Sequence, residues 1–330
     1  MNTGTDIIKS ERPADSAWNR IDFSRGGGII VAFVVLCAVL SFASPHFLTI
    51  ENLMTVARQT VFVMLIGFAM TFVIGMGGID LSVGAILALC GALAAKMLLA
   101  GYSVSLAIIA ALALGTLIGV INGLMVAVLG ITDFIATLGM MSILRGVIMV
   151  FTHGVPLFGL QIVGFQWLAQ GYVGPVPVPV IITTLLFLLC LFVLRKMRLG
   201  RYLLAIGSNR EAAGLVGIDV NLVKVVVYAI SGLFCAISGL LLTSRLEAAM
   251  PEAGLGYELD VIAAVIIGGT SLSGGRANLL GTVVGAMVMG VVRNGLNLLQ
   301  INVFWHQVVI GTIILIAVGI DRLSQRRISK

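Results

Sequence analysis

The sequence predicts an all-α polytopic membrane protein with about ten transmembrane helices, and three observations carry that prediction. Hydrophobic residues make up 59% of the 330 positions and charged residues 10%, with a mean hydropathy of +1.14, against roughly 45–50% apolar and 25% charged in soluble domains. The apolar residues fall into runs near the length of about 20 that crosses a hydrocarbon core. The Lys and Arg residues behind the net charge of +6 gather in loops and termini, which is the positive-inside pattern and not a nucleic-acid surface. Forty glycines suit the same class, because Gly lets membrane helices approach closely and break where backbone lines a cavity.

Ten candidate spans follow in order, at about 26–44, 60–78, 82–100, 104–129, 133–152, 179–194, 222–244, 258–270, 278–298 and 304–320. The eighth is short, and Asp80 separates the second from the third. Ten crossings that start inside divide the chain into a cytoplasmic segment 1–25, a single membrane domain 26–320 with a cytoplasmic loop at 195–222, and a cytoplasmic tail 321–330. Those three polar segments hold most of the Lys and Arg. Residues 1–25 are of mixed charge and too long for a signal-peptide head, and no small-residue cleavage site follows, so retention in the cytoplasm is expected.

The outward segments read differently. Residues 153–178 contain no Lys or Arg; Trp167 and Tyr172 suit an interfacial belt, and Pro175, Pro177 and Pro179 a stiff lead into the next span. Residues 45–57 predict a short external connection and an interfacial helix capped by Thr49 or Asn52. Residues 245–258 form an external loop carrying Glu247, Glu252 and Glu258, either a docking surface for a basic partner or a solvated loop.

Residues 195–224 make the chain's one long polar interior segment, with six of its twenty Lys and Arg: Arg195, Lys196, Arg198, Arg201, Arg210 and Lys224. Ser208 followed by Glu211 fits a capping box, and Gly217 supplies a stop. Between them Ala212, Leu215 and Val216 share one face of about two helical turns. A helix so short is unstable alone, so it packs on the membrane domain or on another protein.

Ionisable residues inside a membrane normally face a cavity or a partner. Two roles compete for Asp80, which follows Gly77 and Gly78 and precedes Ser82: capping a broken helix, the favoured one, and contact with a polar solute. Arg145, Arg293 and Asp260 either form ion pairs that fix helix register or line a path. Asn122, Thr137, Ser142 and Asn294 suit a hydroxylated solute or interhelical hydrogen bonds worth about 0.6 kcal/mol each. GIDLSVG at 78–84 resembles GTSLSGG at 269–275, so each half has a Gly-rich interruption in an apolar segment, the usual pointer to discontinuous helices around a path.

Absences narrow the class. GxxxxGK[ST] is missing, so the chain has no P-loop. His46, His153 and His306 are scattered and form neither a metal motif nor a catalytic dyad, and Cys37, Cys90, Cys190 and Cys235 lie in apolar runs as small core residues. No Arg ladder or TVGYG-like filter marks a channel. An enzyme is not expected, and no metal site.

GIDLSVG at 78–84, FIATL at 134–138, LGRY at 199–202, AIGSN at 205–209, GYELDVIAAV at 256–265, GGTSLSGG at 268–275 and NGLNLL at 294–299, taken together and in order, resemble the permease subunits of bacterial ABC importers for ribose, xylose, arabinose and similar carbohydrates. The resemblance runs from about residue 28 to 321. It implies a type II importer fold in the inner membrane, a second permease subunit, identical or different, and a cytoplasmic ATPase that carries ATP and Mg, with no cofactor on this chain. It also implies a periplasmic solute-binding protein. By the same resemblance, Ser208, Asn209, Arg210, Glu211, Ala212, Ala213, Gly214, Leu215 and Gly217 form the helix that couples to the ATPase, Glu247 and Glu252 are docking points for the binding protein, and Asp80, Ser82, Asn122, Thr137, Arg145, Asp260 and Asn294 are candidates for the path or for helix breaks. The sequence departs from the family pattern at Arg276–Ala277–Asn278 and at Met250–Pro251–Glu252, which leaves the solute open among pentoses, hexoses, inositol and autoinducer-2. Two rivals remain: a permease of the branched-chain amino acid or nucleoside type, and an ion-coupled secondary transporter working through Asp80 and Asp260.

Overall fold

The computed structural model describes residues 23–302, 305–313, 315–316 and 319; the N-terminal segment before residue 23 and the tail from 320 lie outside the described residues. Every one of the ten expected stretches contains helix. They hold α1 (Phe23–Ala43), α2 (Ile50–Gly75), α3 (Val83–Leu99), α4 (Val104–Ala127), α5 (Asp133–Thr152), α7 (Val178–Lys196), α10 (Val220–Leu246), α11 (Tyr257–Ile267) and α12 (Leu279–Leu298), with further helix at 305–313. Short helices α6 (Val163–Gln170), α8 (Arg198–Ser208) and α9 (Arg210–Leu215) fill the connections. Six helices among the described residues, α2, α4, α5, α7, α10 and α12, are long and apolar enough to cross a membrane. The chain is therefore a helical, multi-pass membrane protein.

The helix α10 is the hub, packed by α2, α3 and α4. Its approach to α4 is set by backbone: a Cβ on Gly232 would overlap the Gly115 carbonyl, and one on Gly119 the Tyr228 carbonyl. Small residues on both helices let them meet without side chains between, which is how membrane helices gain dispersion contact where lipid offers no hydrophobic contrast. The helices α2, α3 and α10 are largely buried, whereas α4, α5 and α7 turn apolar sides outward.

Two differences from the sequence reading concern α2 and the outer loops. No separate interfacial helix occupies 45–57. The helix α2 starts at Ile50, capped by the Thr49 hydroxyl accepting from the Asn52 N–H, and runs unbroken because neither Gly nor Pro interrupts residues 50–66. The segment 153–178 is ordered by pairing: β1 (Leu157–Phe158) runs antiparallel to β4 (Ala248–Ala249), and β2 (Tyr172–Val173) to β3 (Val176–Pro177). Pro177 precedes α7 with extended backbone, and Pro179 lies in its first turn.

Candidate functional site

The helix α9 stands at the polar end of the molecule. Its cap is Asn209, whose side-chain oxygen accepts from the Ala212 N–H at 3.0 Å, and this corrects the capping box expected from Ser208. Ser208 is the last residue of α8 and its hydroxyl donates to the Leu204 carbonyl, so it is occupied one turn back, and the helix spans six residues instead of running from 208 to 217. Gly217 has φ of +83°, and its N–H donates to Gly214. Ala213 is buried, while Leu215 and Val216 are 90% and 77% exposed. The apolar face of α9 thus looks away from this chain, and a Cβ on Gly214 would meet nothing within 4 Å.

Just before α9, three stretches of backbone meet. The Gly275 N–H donates to the Gly75 carbonyl at 2.9 Å. A Cβ on Gly207 would overlap that same carbonyl and lie 2.5 Å from the Gly275 nitrogen, and one on Gly275 would lie 2.5 Å from the Ser208 hydroxyl. Gly75 ends α2 and Gly275 lies in the loop after α11. The last turn of α8 therefore packs against the end of α2, just before the first Gly-rich interruption, and against the second interruption.

The first interruption is tied to three helices. Asp80 is fully buried; its Oδ1 accepts from the Ser82 N–H at 3.0 Å and from the Ser82 hydroxyl at 2.6 Å, and its Oδ2 from the Ser231 hydroxyl on α10 at 2.8 Å. Asn122 on α4 donates to the Ser82 hydroxyl, and Tyr228 on α10 and Thr137 on α5 donate to the Ile79 carbonyl. Asp80 thus accepts from the backbone and hydroxyl of Ser82 beside the break and from Ser231 of α10. Beside it Lys224 on α10 pairs with Asp133, the first residue of α5, at 3.8 Å. The spacing of Asp133, Lys224 and Tyr228 gave no signal in the sequence, because their contact joins α5 to α10 across unrelated stretches of chain.

The helix α12, which follows the second interruption, is tied to α2. Thr71 and Thr282 share a hydrogen bond of 2.7 Å, and Asn52 and Asn294 exchange two, at 3.1 and 2.7 Å. Asp260 in the first turn of α11 pairs with Arg293 on α12, while Arg145 on α5 donates to the carbonyls of Pro251 and Ala253 instead of joining an ion pair. Asn122, Thr137 and Asn294 are thus turned inward within this chain; Ser142 is exposed and donates to Leu138 one turn back.

At the other end of α10, Glu247 adopts a left-handed φ of +51° and accepts from Gln166 and Gln170 of α6 at 2.8 and 2.9 Å. Donation from Gln170, then Gln166, holds its carboxyl below the usual glutamate range. Glu247 is committed to fastening α6, whereas Glu252 is exposed. Among the described residues no cluster of His, Cys, Asp or Glu could hold a metal ion.

The family sequence model described as "Branched-chain amino acid transport system / permease component" matches residues 52–318. The ribose import permease protein RbsC of Escherichia coli strain K12 is 44% identical over 299 residues, covering 90% of this chain and 93% of that protein. RbsC of Bacillus subtilis strain 168 is 47% identical over 296 residues, covering 89% and 92%, and the D-allose transport system permease protein AlsC of E. coli K12 is 39% identical over 324 residues, covering 98% and 99%. No solved structure matches the chain.

Proposed function

Since the chain belongs to the branched-chain amino acid transport system permease component family, we propose that it is the membrane-spanning permease of an ABC importer that moves a small carbohydrate of the pentose or hexose class. Relatives named for ribose and allose cover nearly its full length, which favours a sugar over the amino acid in the family's description. The partners follow from the class: a cytoplasmic ATPase that binds ATP and Mg, a periplasmic solute-binding protein and a second permease. This chain itself binds no nucleotide.

The observation that carries the mechanism is the seating of α9. Leu215 and Val216 present an uncovered apolar face directly after the junction of Gly75, Gly207 and Gly275. An ATPase that grips this face differently in its two nucleotide states can shift the equilibrium between outward- and inward-open arrangements, and only such a difference in grip can do so. The same reading puts ten crossings in a type II importer fold in the inner membrane, with residues 1–25, 195–222 and 321–330 in the cytoplasm. It leaves Glu252 outside as the docking carboxylate.

The test is Gly214→Trp, which adds bulk where this chain has open space. The expected result is a normally folded permease that no longer co-purifies with its ATPase and whose uptake of sugar is lost. Full uptake by this variant removes α9 from the mechanism. Transport by the lone wild-type chain in liposomes under a proton or sodium gradient would overturn the importer reading as a whole.

A further inference from the structure

A cavity of about 310 Å³ lies at the end of α10 opposite α9, between α2, α10, α11, α12 and the helix at 305–313. Its wall is polar toward the outer ends of the spans and apolar one turn deeper. On α2, Gln59 is followed inward by Phe62 and Val63; on α10, Leu242 lies one turn below Arg245; on α12, Met289 lies one turn below Arg293. Aromatic rings mark the level of the polar rim. Trp305, next to the lining residue His306, is 59% exposed, and Tyr172 lies under the guanidinium of Arg58, the neighbour of Gln59. Such rings sit where the headgroups of a membrane begin.

The charges of this wall do not balance. Arg293 is paired with Asp260, whereas Arg245 has no carboxylate partner among the described residues; its guanidinium lies over the Phe62 ring at 5.7 Å and donates no hydrogen bond. Arg58 adds a charge of the same sign close by. The Arg245 nitrogens are not among the buried atoms sealed off without a partner, so they are open to the cavity. A half-buried guanidinium with neither acceptor nor counter-charge is costly. The group that satisfies it carries negative charge and paired oxygens, which the planar fork of N–H donors binds two at a time. A neutral molecule leaves the charge uncompensated, and a cation is repelled. The amides of Gln59 and Asn297 supply further donors at the rim.

We propose that this cavity holds the phosphate group of an anionic phospholipid, gripped by Arg245 with Arg293 at its side, and with the apolar part of the lipid toward Phe62, Leu242 and Met289. Free phosphate offers the same oxygens. The lipid is favoured because the polar rim lies at headgroup level on three membrane-spanning helices and an apolar wall continues beneath it. A lipid held there bridges α10 and α12. The inference is independent of the solute carried and asks nothing of its path.

Full-length permease, stripped of lipid in detergent, is titrated with palmitoyl-oleoyl phosphatidylglycerol, and the lipids it retains are counted by native mass spectrometry. Titration with the matching diacylglycerol removes the phosphate from the ligand, and inorganic phosphate as competitor removes the chains. The expected result is one phosphatidylglycerol held more tightly than the rest by the wild type and not displaced by millimolar inorganic phosphate. Arg245→Met should weaken retention of that lipid at least about tenfold, the fold-change of one hydrogen bond to a charged group. Arg245→Lys keeps the charge without the fork and should fall between the two. It carries the test alone if Arg245→Met fails to fold, and unchanged retention by it then overturns the proposal. Equal retention by the wild type and Arg245→Met, or equal retention of the diacylglycerol, overturns the site. Displacement of the lipid by inorganic phosphate assigns the cavity to a soluble anion. Unchanged lipid retention by Arg245→Met, with loss of the ATP hydrolysis that a sugar-loaded binding protein stimulates in the assembled importer, assigns Arg245 to a protein carboxylate. Either result also overturns the proposal.

Discussion

Glu247 shows how a single carboxylate can be claimed by its own chain. The spacing of Glu247 and Glu252 within one loop gives both the same outward reading, but Gln166 and Gln170 reach Glu247 from α6, more than seventy residues earlier in the chain. Its folded pKa is depressed, so the fastening of α6 is fully present above the unfolded glutamate value of about 4.3 and is lost as pH falls through the folded value. In a background where Trp18 and Trp305 are replaced, so that Trp167 on α6 is the sole tryptophan, its fluorescence should change as pH falls below the unfolded glutamate value of about 4.3. Glu247→Gln should flatten that titration. Asp80 makes a parallel case in the membrane. Asp80→Ala removes the acceptor for three donors, and orphaned buried groups cost about 1–3 kcal/mol each. A clear drop in the thermal midpoint of the detergent-solubilised protein is expected, and an unchanged midpoint would show that the network is dispensable.

The end of the molecule that carries α9 illustrates how elements were partly legible. The short helix, its stop at Gly217 and the apolar positions Leu215 and Val216 were readable from capping and spacing, whereas its cap was misplaced by one residue because Ser208 hydrogen-bonds within α8. No local rule chooses between Ser208 and Asn209 as cap; the end of α8 does. Two substitutions one turn or two apart should therefore behave oppositely. Gly207→Val pushes side-chain atoms into the Gly75 carbonyl and Gly275 and should cost about 1–3 kcal/mol of stability, as overpacking does, measurable as thermal unfolding of the permease alone. Gly214→Trp should leave that unfolding unchanged. It should weaken ATPase co-purification about tenfold or more, corresponding to about 1.4 kcal/mol of partner affinity.

For the whole molecule the ten-span order makes a sidedness prediction. In a background where Cys37, Cys90, Cys190 and Cys235 are replaced, Gly214→Cys should react with a membrane-impermeant maleimide only in inverted vesicles, and Glu252→Cys only in right-side-out ones. The reverse pattern, or labelling of both from one side, would refute the crossing count between α9 and the 250–256 loop. The expected cytoplasmic termini can be placed by the same labelling.

Most helix positions and the two Gly-rich interruptions were determined by the sequence, because span length, hydropathy and backbone propensity are local properties that a stretch of about 20 residues carries within itself. The motif order from Gly78 to Leu299 fixed the family for the same reason: it lies along the chain. Only the tertiary structure decided which polar groups meet. It paired Asp260 with Arg293 and Asn52 with Asn294, sent Arg145 to backbone carbonyls, and gathered Gly75, Gly207 and Gly275 at one point. Those contacts join residues that can lie more than two hundred positions apart, and their partners are set by how helices cross, which hydrophobic periodicity does not encode.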